Sequence, residues 1–145
     1  MQGTGSWRPS DVARKYFESS HDFPIMTLFS DSAEVIVPGM PAKIGKAQYD
    51  QVRQGFDSGF PDARTELVSI IESGDTAAGE VMFIATNTGS MPSPAGGQIP
   101  PTGKKVNLPG AFIMKVKDGK ITSYHLYFDQ ASMAQQLGMS PPQSQ

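Results

Sequence analysis

The chain has 145 residues, of which 12 are Lys or Arg and 14 are Asp or Glu, so its formal net charge is −2. This length suits one domain with its own hydrophobic core. Cys is absent, which excludes a disulfide framework and a thiolate metal site. No block of basic residues occurs, and we expect no nucleic-acid partner. A chain without Cys fits the reducing cytoplasm, which is the location that we expect.

Targeting and membrane segments are not expected. Residues Met1–Ser10 contain no apolar run, which argues against a signal peptide there. The longest apolar runs, such as 81–85, are far too short to span a bilayer, so we expect no membrane partner. The sequence predicts a flexible lead over 1–9, a single domain over 10–138 and a disordered tail over 139–145.

Three helices and one short strand are predicted in the first half of the chain. Ser10 is suited to cap a first helix over 10–19. A second, short helix is expected to begin with Asp22 as its cap. A strand over 33–37 and a third helix over 46–58 complete this half.

After the third helix, the hydrophobic period changes to that of strands. Tight turns at Ser73-Gly74-Asp75 and at Asp118-Gly119 indicate hairpins. The four predicted strands are 64–72, 77–88, 104–117 and 120–128. Helices first and strands later indicate the α+β class, with the helices packed on one face of an antiparallel sheet.

The segment 89–103 is rich in Gly, Pro and Ser. A loop of this length inside a compact domain is unusual and often functional. We interpret it as a hairpin connection and a candidate lid over a pocket. Asp129 is then suited to cap a last helix over 130–137, closed by Gly138.

Alternation along the strands separates an inner from an outer face of the sheet. Burying an unpaired charge is costly, so the face with Glu80, Lys115 and Lys117 is assigned to the outside. On the last strand, the same outer set consists of Ile121, Ser123, His125 and Tyr127. The large apolar side chains of this face are Met82, Ile84, Ile113 and Tyr127. Such a face predicts a homodimer; the alternative is a half-solvated sheet with scattered apolar residues.

A set of short motifs occurs in a defined order along the chain. The motifs are Phe60-Pro61-Asp62, Gly74-Asp75, Thr86-Asn87-Thr88-Gly89, Pro101-Thr102-Gly103-Lys104, Asp118-Gly119-Lys120-Ile121, Tyr127-Phe128-Asp129 and Gln136-Leu137-Gly138. In this order and spacing they resemble the SnoaL-like polyketide cyclases (ester cyclases) of the nuclear-transport-factor-2-like superfamily. The resemblance covers roughly residues 10–138.

The resemblance implies a cone-shaped, curved antiparallel sheet wrapped around N-terminal helices, with a short C-terminal helix and a deep hydrophobic pocket. It also implies a dimer through the outer sheet face. The implied activity is that of a cyclase, isomerase or lyase that needs neither a metal nor an organic cofactor. The implied substrate is a hydrophobic, oxygen-bearing small molecule such as a polyketide or terpenoid.

The chain departs from the family at the catalytic positions. In the family an Asp on the last strand is the acid/base, and a His on the preceding strand assists it. The matching positions here hold Leu126 and Phe112, so the usual base is missing at that place. Both residues belong to the set that we assign to the inner face.

Four other residues are candidate catalytic groups. Tyr124 shares a face with Leu126 and is either a donor to a carbonyl or enolate oxygen or a core tyrosine. Asp31 is a candidate at the pocket mouth or a turn residue. His125 is a candidate proton-transfer group, but it lies outside unless a bulge near residue 123 reverses the strand. Asp129 is a candidate base or only a helix cap.

The remaining predicted site residues form the walls of the pocket. They are Phe17, Phe29, Tyr49, Phe56, Val81, Phe83, Asn87, Phe112, Met114, Leu126 and Phe128. Asn87 either binds a ligand oxygen or satisfies a loop amide. No metal site is expected, because the two His residues lie far apart in sequence without spaced carboxylates.

Three functions are compatible with this pattern. The first is a cofactor-independent enzyme of the cyclase or isomerase type. The second is a non-catalytic domain that binds a hydrophobic ligand or serves as a dimeric accessory protein. The third is a purely structural dimerisation module. A cavity with a buried titratable group favours the enzyme, an apolar cavity favours binding, and a filled interior excludes both.

Overall fold

The computed structural model describes residues 7–19, 23–40, 42–92 and 96–139. Asp22, the predicted cap of the second helix, lies outside the described residues. Most of the expected lead and tail also lies outside them. No helix in the described ranges is both long and apolar enough to cross a membrane.

The elements follow the predicted order. They are α1 (Pro9–Glu18), a 3₁₀ turn (Ile25–Leu28), β1 (Phe29–Ile36), α2 (Lys46–Gly59), β2 (Arg64–Ser73), β3 (Thr76–Thr86), β4 (Met91–Pro92), β5 (Gln98–Ile99), β6 (Lys105–Lys117), β7 (Lys120–Phe128) and α3 (Gln130–Gln136). The predicted second helix is thus only a 3₁₀ turn. Strand β1 begins earlier than predicted, because Phe29 already pairs with Ile121 of β7; the register then shifts before pairing resumes at Glu34.

The large sheet has the strand order β1-β7-β6-β3-β2. The pairs β2–β3, β3–β6 and β6–β7 are antiparallel, whereas β1 runs parallel to β7. Strands β1 and β7 are separated by most of the chain, so no tight turn dictates their relative direction. The curved α+β fold of the nuclear-transport-factor-2 type is confirmed, with a mixed rather than purely antiparallel sheet.

The start of α1 is held by charged groups rather than by the predicted cap. Ser10 lies inside the helix, and the carboxylate of Asp11 accepts a hydrogen bond from the backbone N–H of Arg8 at 3.0 Å. Glu72 on β2 accepts from the Ser10 backbone N–H at 2.9 Å and from the Arg8 guanidinium at 2.5 Å. Pro9 is buried, so this end of the expected flexible lead belongs to the folded domain.

The contact between α1 and β2 makes stability dependent on pH. Hydrogen bonds from Ser10, and then the hydrogen bond from Arg8, lower the pKa of Glu72 from 4.5 to about 2. These contacts favour the ionised carboxylate of the folded chain. Their contribution to stability is therefore complete above pH 4.5 and is lost as the pH falls towards 2. We therefore expect Glu72→Gln to lower the melting temperature at neutral pH. The difference from the unaltered chain should fall to zero as the pH is lowered from 4.5 to about 2. The matched control is Glu34→Gln.

The control replaces a carboxylate in an exposed ion pair with Lys43, which contributes little. Thermal unfolding of both variants between neutral and strongly acidic pH measures the difference. An equal effect of both substitutions at every pH would contradict this role of Glu72.

A β-bulge corrects the predicted alternation on β7. Lys115 pairs with Ser123, but the next residue of β6, Val116, pairs with Ile121, so Thr122 is the extra residue. Ile121 therefore points inward and is fully buried, contrary to the predicted outer position. The bulge precedes residue 123, so His125 stays on the outer face, opposite the outward-facing Ile113.

The long connection 89–103 contains the small hairpin β4–β5. It packs on the C-terminal end of α2, where Ser58 Oγ donates to the Ser90 carbonyl at 3.1 Å. The backbones approach so closely here that a Cβ on Gly89 would collide with the Ser58 carbonyl. None of the described residues of this loop lines the cavity described below, so lid function remains a prediction.

Candidate active site

A cavity of about 600 Å³ lies between two buried clusters of apolar side chains. One cluster joins α1 to the middle of the sheet, and the other joins the ends of α2 and α3 to β3 and β6. Aromatic side chains from both clusters line the space: Tyr16, Phe17, Phe56, Phe83, Tyr124 and Phe128. This volume is within the range of small-molecule sites, roughly 300–1,000 Å³.

Helix α2 forms one wall of the cavity through a single face. The lining residues Tyr49, Val52, Arg53, Phe56 and Asp57 follow the helical spacing of three and four residues. This face therefore combines apolar groups with one cation and one carboxylate. The other charged lining residues, Glu18, Arg64 and Glu66, are exposed and mark the mouth.

Three tyrosines meet at the buried end of the cavity. The hydroxyl groups of Tyr16 and Tyr49 lie 2.5 Å apart and form a hydrogen bond. The ring of Tyr124 lies 5.1 Å from that of Tyr16 and 5.8 Å from that of Tyr49, measured between centroids. Because Tyr124 comes from β7 and the other two come from α1 and α2, only the folded chain brings them together.

The environment keeps all three phenols protonated. Burial raises the pKa of Tyr124 well above 10.0, and Tyr16 and Tyr49 raise it further. Burial, followed by the proximity of Tyr16, has the same effect on the pKa of Tyr49. Burial also raises the pKa of Tyr16, although the positive charge of Arg53 opposes this rise. At neutral pH the cluster therefore supplies hydrogen-bond donors, not a tyrosinate base.

The two positions expected, from the resemblance, to match a catalytic Asp and His both face inward. Leu126 lines the cavity and pairs with Phe112 across β6 and β7. Phe112 is buried, with its ring 4.7 Å from that of Phe17. The missing acid/base is therefore not a matter of strand register, because both apolar side chains lie on the inner side of the sheet.

Of the four predicted catalytic candidates, Tyr124 lies in the cavity and the other three lie outside its lining. Asp31 is exposed on β1 and forms an ion pair with Lys46 at 3.3 Å. His125 is on the outer face, where its Nδ1 contacts the Tyr127 hydroxyl at 3.2 Å. Asp129 accepts a hydrogen bond from the backbone N–H of Ala131 at 2.9 Å and caps α3.

The predicted wall residues divide between the cavity and the packed core. Those that line the cavity are Phe17, Tyr49, Phe56, Val81, Phe83, Leu126 and Phe128. Phe29, Phe112 and Met114 are buried behind this lining instead. Phe29 still supports the site, because its ring packs against those of Tyr16, Tyr49 and Tyr124.

Asn87 has a structural role in which its amide is fully engaged. Its Nδ2 donates to the carbonyls of Gly59 and Gly89 at 2.9 and 3.0 Å. Its Oδ1 accepts from the backbone N–H and the hydroxyl of Thr102 at 2.8 and 2.9 Å. Of the two roles considered for this residue, the structure shows the one that satisfies loop amides. The side chain joins the end of α2 to both ends of the long connection.

Removal of this amide tests its role in stability. Asn87→Ala would remove four hydrogen bonds and leave the half-buried Gly89 carbonyl and Thr102 N–H without these partners, while the Gly59 carbonyl would keep the Gly89 N–H, so we expect a loss of about 2–3 kcal/mol in the free energy of unfolding. Urea denaturation gives the value. The matched control is Asn107→Ala, at an exposed position. A loss no larger than that of the control would contradict the assignment.

Sequence reasoning did not select Tyr16, Arg53 or Asp57 as site residues. Arg53 follows Tyr49 by four positions and precedes Phe56 by three, so the face that predicted a buried helix also contained this cation. Charge was used only to identify the outside of the sheet. If charge had also been considered on α2, the spacing of Arg53 from Tyr49 and Phe56 would have indicated a charged group on the apolar face of this helix.

Among the described residues, no group of three His, Asp or Glu side chains is placed to hold a metal ion.

A sequence model of the SnoaL-like polyketide cyclases matches residues 13–137. The chain therefore belongs to the SnoaL-like polyketide cyclase family. A comparison with curated proteins gives no significant match.

Solved structures share the fold at low sequence identity. IdmH of Streptomyces antibioticus, provisionally described as a polyketide cyclase, is 23% identical with a TM-score of 0.76 over 90% of this chain and 99% of its own. AclR of Streptomyces galilaeus, provisionally described as a hydroxylase, is 18% identical with a TM-score of 0.76 over 92% and 97%. A SnoaL-like protein of Jannaschia sp. CCS1 is 16% identical with a TM-score of 0.76 over 92% and 93%.

Proposed function

We propose that this protein is a cofactor-independent enzyme of the cyclase or isomerase type that acts on a hydrophobic, oxygen-bearing small molecule such as a polyketide or terpenoid. The observation that carries the proposal is the cluster of Tyr16, Tyr49 and Tyr124 at the buried end of an apolar cavity. A filled interior would have excluded small-molecule chemistry. Structures of this fold are described with both cyclase and hydroxylase activities, so the reaction has to be argued from the site.

The site suits stabilisation of a developing enolate. When a carbon next to a carbonyl gives its proton to water or to a carboxylate of the lining, the electron pair moves to the oxygen, which then carries the negative charge. Protonated phenols in a water-poor cavity stabilise such an oxygen more than the starting carbonyl. The enolate carbon can then attack a second carbonyl of the same molecule and close a ring, or take up a proton elsewhere and isomerise.

The carboxylates of the lining restrict the substrate. In the described part of the chain they belong to Glu18 and Glu66 at the exposed mouth and to Asp57, which is half-buried, so none of them is fully buried. We therefore propose a substrate whose carbon acid ionises readily, as does a carbon between two carbonyls or next to a carbonyl and an aromatic ring. Such a substrate needs stabilisation of its oxygen more than it needs a strong protein base.

Exchange of a carbon-bound proton tests this chemistry directly. We expect the protein to accelerate deuterium uptake at the acidic carbon of 2-tetralone, a bicyclic aromatic ketone, as measured by NMR in D₂O. Tyr124→Phe removes one oxygen donor and should lower the rate constant at saturation by about a hundredfold. The matched control, Tyr127→Phe, removes a hydroxyl on the outer face and should exchange at the rate of the unaltered chain.

Binding without catalysis is the second candidate function, and it is favoured by Leu126 and Phe112 at the family's catalytic positions. The same experiment separates the two. Binding of 2-tetralone with no acceleration of exchange would contradict the enzyme and support a protein that only holds hydrophobic ligands. Equal exchange rates for Tyr124→Phe and Tyr127→Phe would contradict the role of the tyrosine cluster.

We also propose that the protein forms a homodimer through the outer face of the sheet. One register row crosses all five strands on this face: Ile36, His125, Ile113, Ala78 and Ile71. Ile71 is 74% exposed and Ile113 is 42% exposed. Tyr127, 47% exposed, lies in the next row, and Met82 and Ile84 lie further along β3. A row in which four of the five side chains are apolar, on the outer face of the sheet, supports burial against a second copy.

A charge placed in the middle of this row tests the dimer. Ile113→Glu should convert the chain from dimer to monomer in sedimentation analysis, because each copy would bury an unpaired carboxylate. Lys117→Glu, which changes a side chain on the same strand near the hairpin turn, serves as the control and should stay dimeric. A monomeric unaltered chain would contradict the proposal.

The cytoplasmic location remains a prediction from composition.

A further inference from the structure

We infer that Arg53 forms, on the cavity face of α2, a binding subsite for a carboxylate carried by a hydrophobic ring system. The inference rests on the proposed function, since it names the class of substrate for the same cavity. It makes Arg53 a specificity-determining residue that selects acids over neutral ketones, esters and amides of the same shape.

The position of Arg53 is the first observation. Its side chain is half-buried and lines the cavity from α2, one turn after Tyr49 and one turn before Phe56 and Asp57. A cation placed among aromatic side chains is costly unless a negative group accompanies it. Among the described residues, no carboxylate lies within ion-pair distance of the guanidinium.

The nearest negative groups of its own helix do not neutralise it by direct contact. Asp50 accepts a hydrogen bond from Gln54 Nε2 at 3.1 Å. Asp57 lies one turn beyond Arg53 on the cavity face and attracts it from a distance. The guanidinium interacts with the Tyr16 hydroxyl, which partly offsets the rise that burial causes in the pKa of that phenol, but no carboxylate of the described residues pairs with it, so its remaining donors can meet a group that enters the cavity.

The surrounding charges favour a single carboxylate over a more highly charged anion. Arg64, the other cation of the lining, is paired with Glu66 at 3.0 Å. A dianion such as a phosphate ester would meet one open cation and the carboxylate of Asp57. The planar guanidinium fork matches the two oxygens of a carboxylate.

Two naphthalene compounds of matched shape test the inference. We expect the full chain to bind 2-naphthoate at least about tenfold more tightly than 2-naphthamide in isothermal titration calorimetry at neutral pH. Arg53→Gln should abolish this preference and leave the affinity for 2-naphthamide within about twofold. Arg53→Lys keeps the charge but loses the planar fork, so it should retain an intermediate preference.

Further variants separate ligand binding from a role within the helix. Arg53→Met keeps the aliphatic stem and is a second neutral variant that should behave as Arg53→Gln, with thermal unfolding as the check on folding. Asp57→Asn should bind 2-naphthoate as tightly as the unaltered chain or more tightly, because a competing carboxylate is removed. A loss as large as that of Arg53→Gln would show that binding of 2-naphthoate depends on the Asp57 carboxylate rather than on Arg53 alone, and it would overturn the inference.

The outcome also separates this inference from the proposed function. Binding of 2-naphthamide with no preference for 2-naphthoate would overturn the subsite while the hydrophobic cavity stands. Failure of both compounds to bind would overturn the proposed function and the subsite together.

Discussion

The backbone pairing of β6 with β7 is the constraint on which the rest of this structure depends. It places Phe112 opposite Leu126 and Met114 opposite Tyr124 on the inner side. Side chains alternate along a strand, so a slip of one residue would turn these groups to solvent and bring Ile113 and His125 inside. The bulge at Thr122 then lets Ile121 remain in the core while the register beyond it is kept.

Given this register, the two apolar clusters fill opposite parts of the interior and leave a cavity between them. Helix α2 crosses the gap and brings Tyr49 and Arg53 towards Tyr124. Buried hydroxyl groups need partners, and Tyr49 finds one in Tyr16 on α1. The polar end of the cavity is therefore built from three separate elements, α1, α2 and β7, and each contributes one tyrosine hydroxyl.

Membership of the SnoaL-like family explains the architecture better than it explains the chemistry. The fold holds its inner strand positions in place whatever their side chains are, and here two of those positions carry Leu126 and Phe112. A carboxylate base removes a proton from the substrate, whereas a tyrosine cluster stabilises the negative charge that remains. The proposed activity follows the residues that are present.

Local pattern was sufficient for the α+β class, the order of the main elements and the inner face of the strands apart from Ile121, which the bulge turns inward, because periodicity and turn residues act over short distances. The same local reasoning placed Tyr124 and Leu126 on the inner face. It also favoured Asp129 and Asp31 as candidates, although one caps α3 and the other pairs with Lys46 at the surface. Proximity between distant elements is not encoded in spacing.

The sequence by itself determined which side chains alternate, where hairpins turn and which helix faces are apolar. Only the tertiary structure decided that Tyr16, Tyr49 and Tyr124 converge, that Asn87 joins α2 to the long connection, and that β1 runs parallel to β7. Each of these depends on contacts between residues far apart in the chain. Such contacts form only when the sheet has closed around its helices, so their geometry belongs to the fold and not to any segment of it.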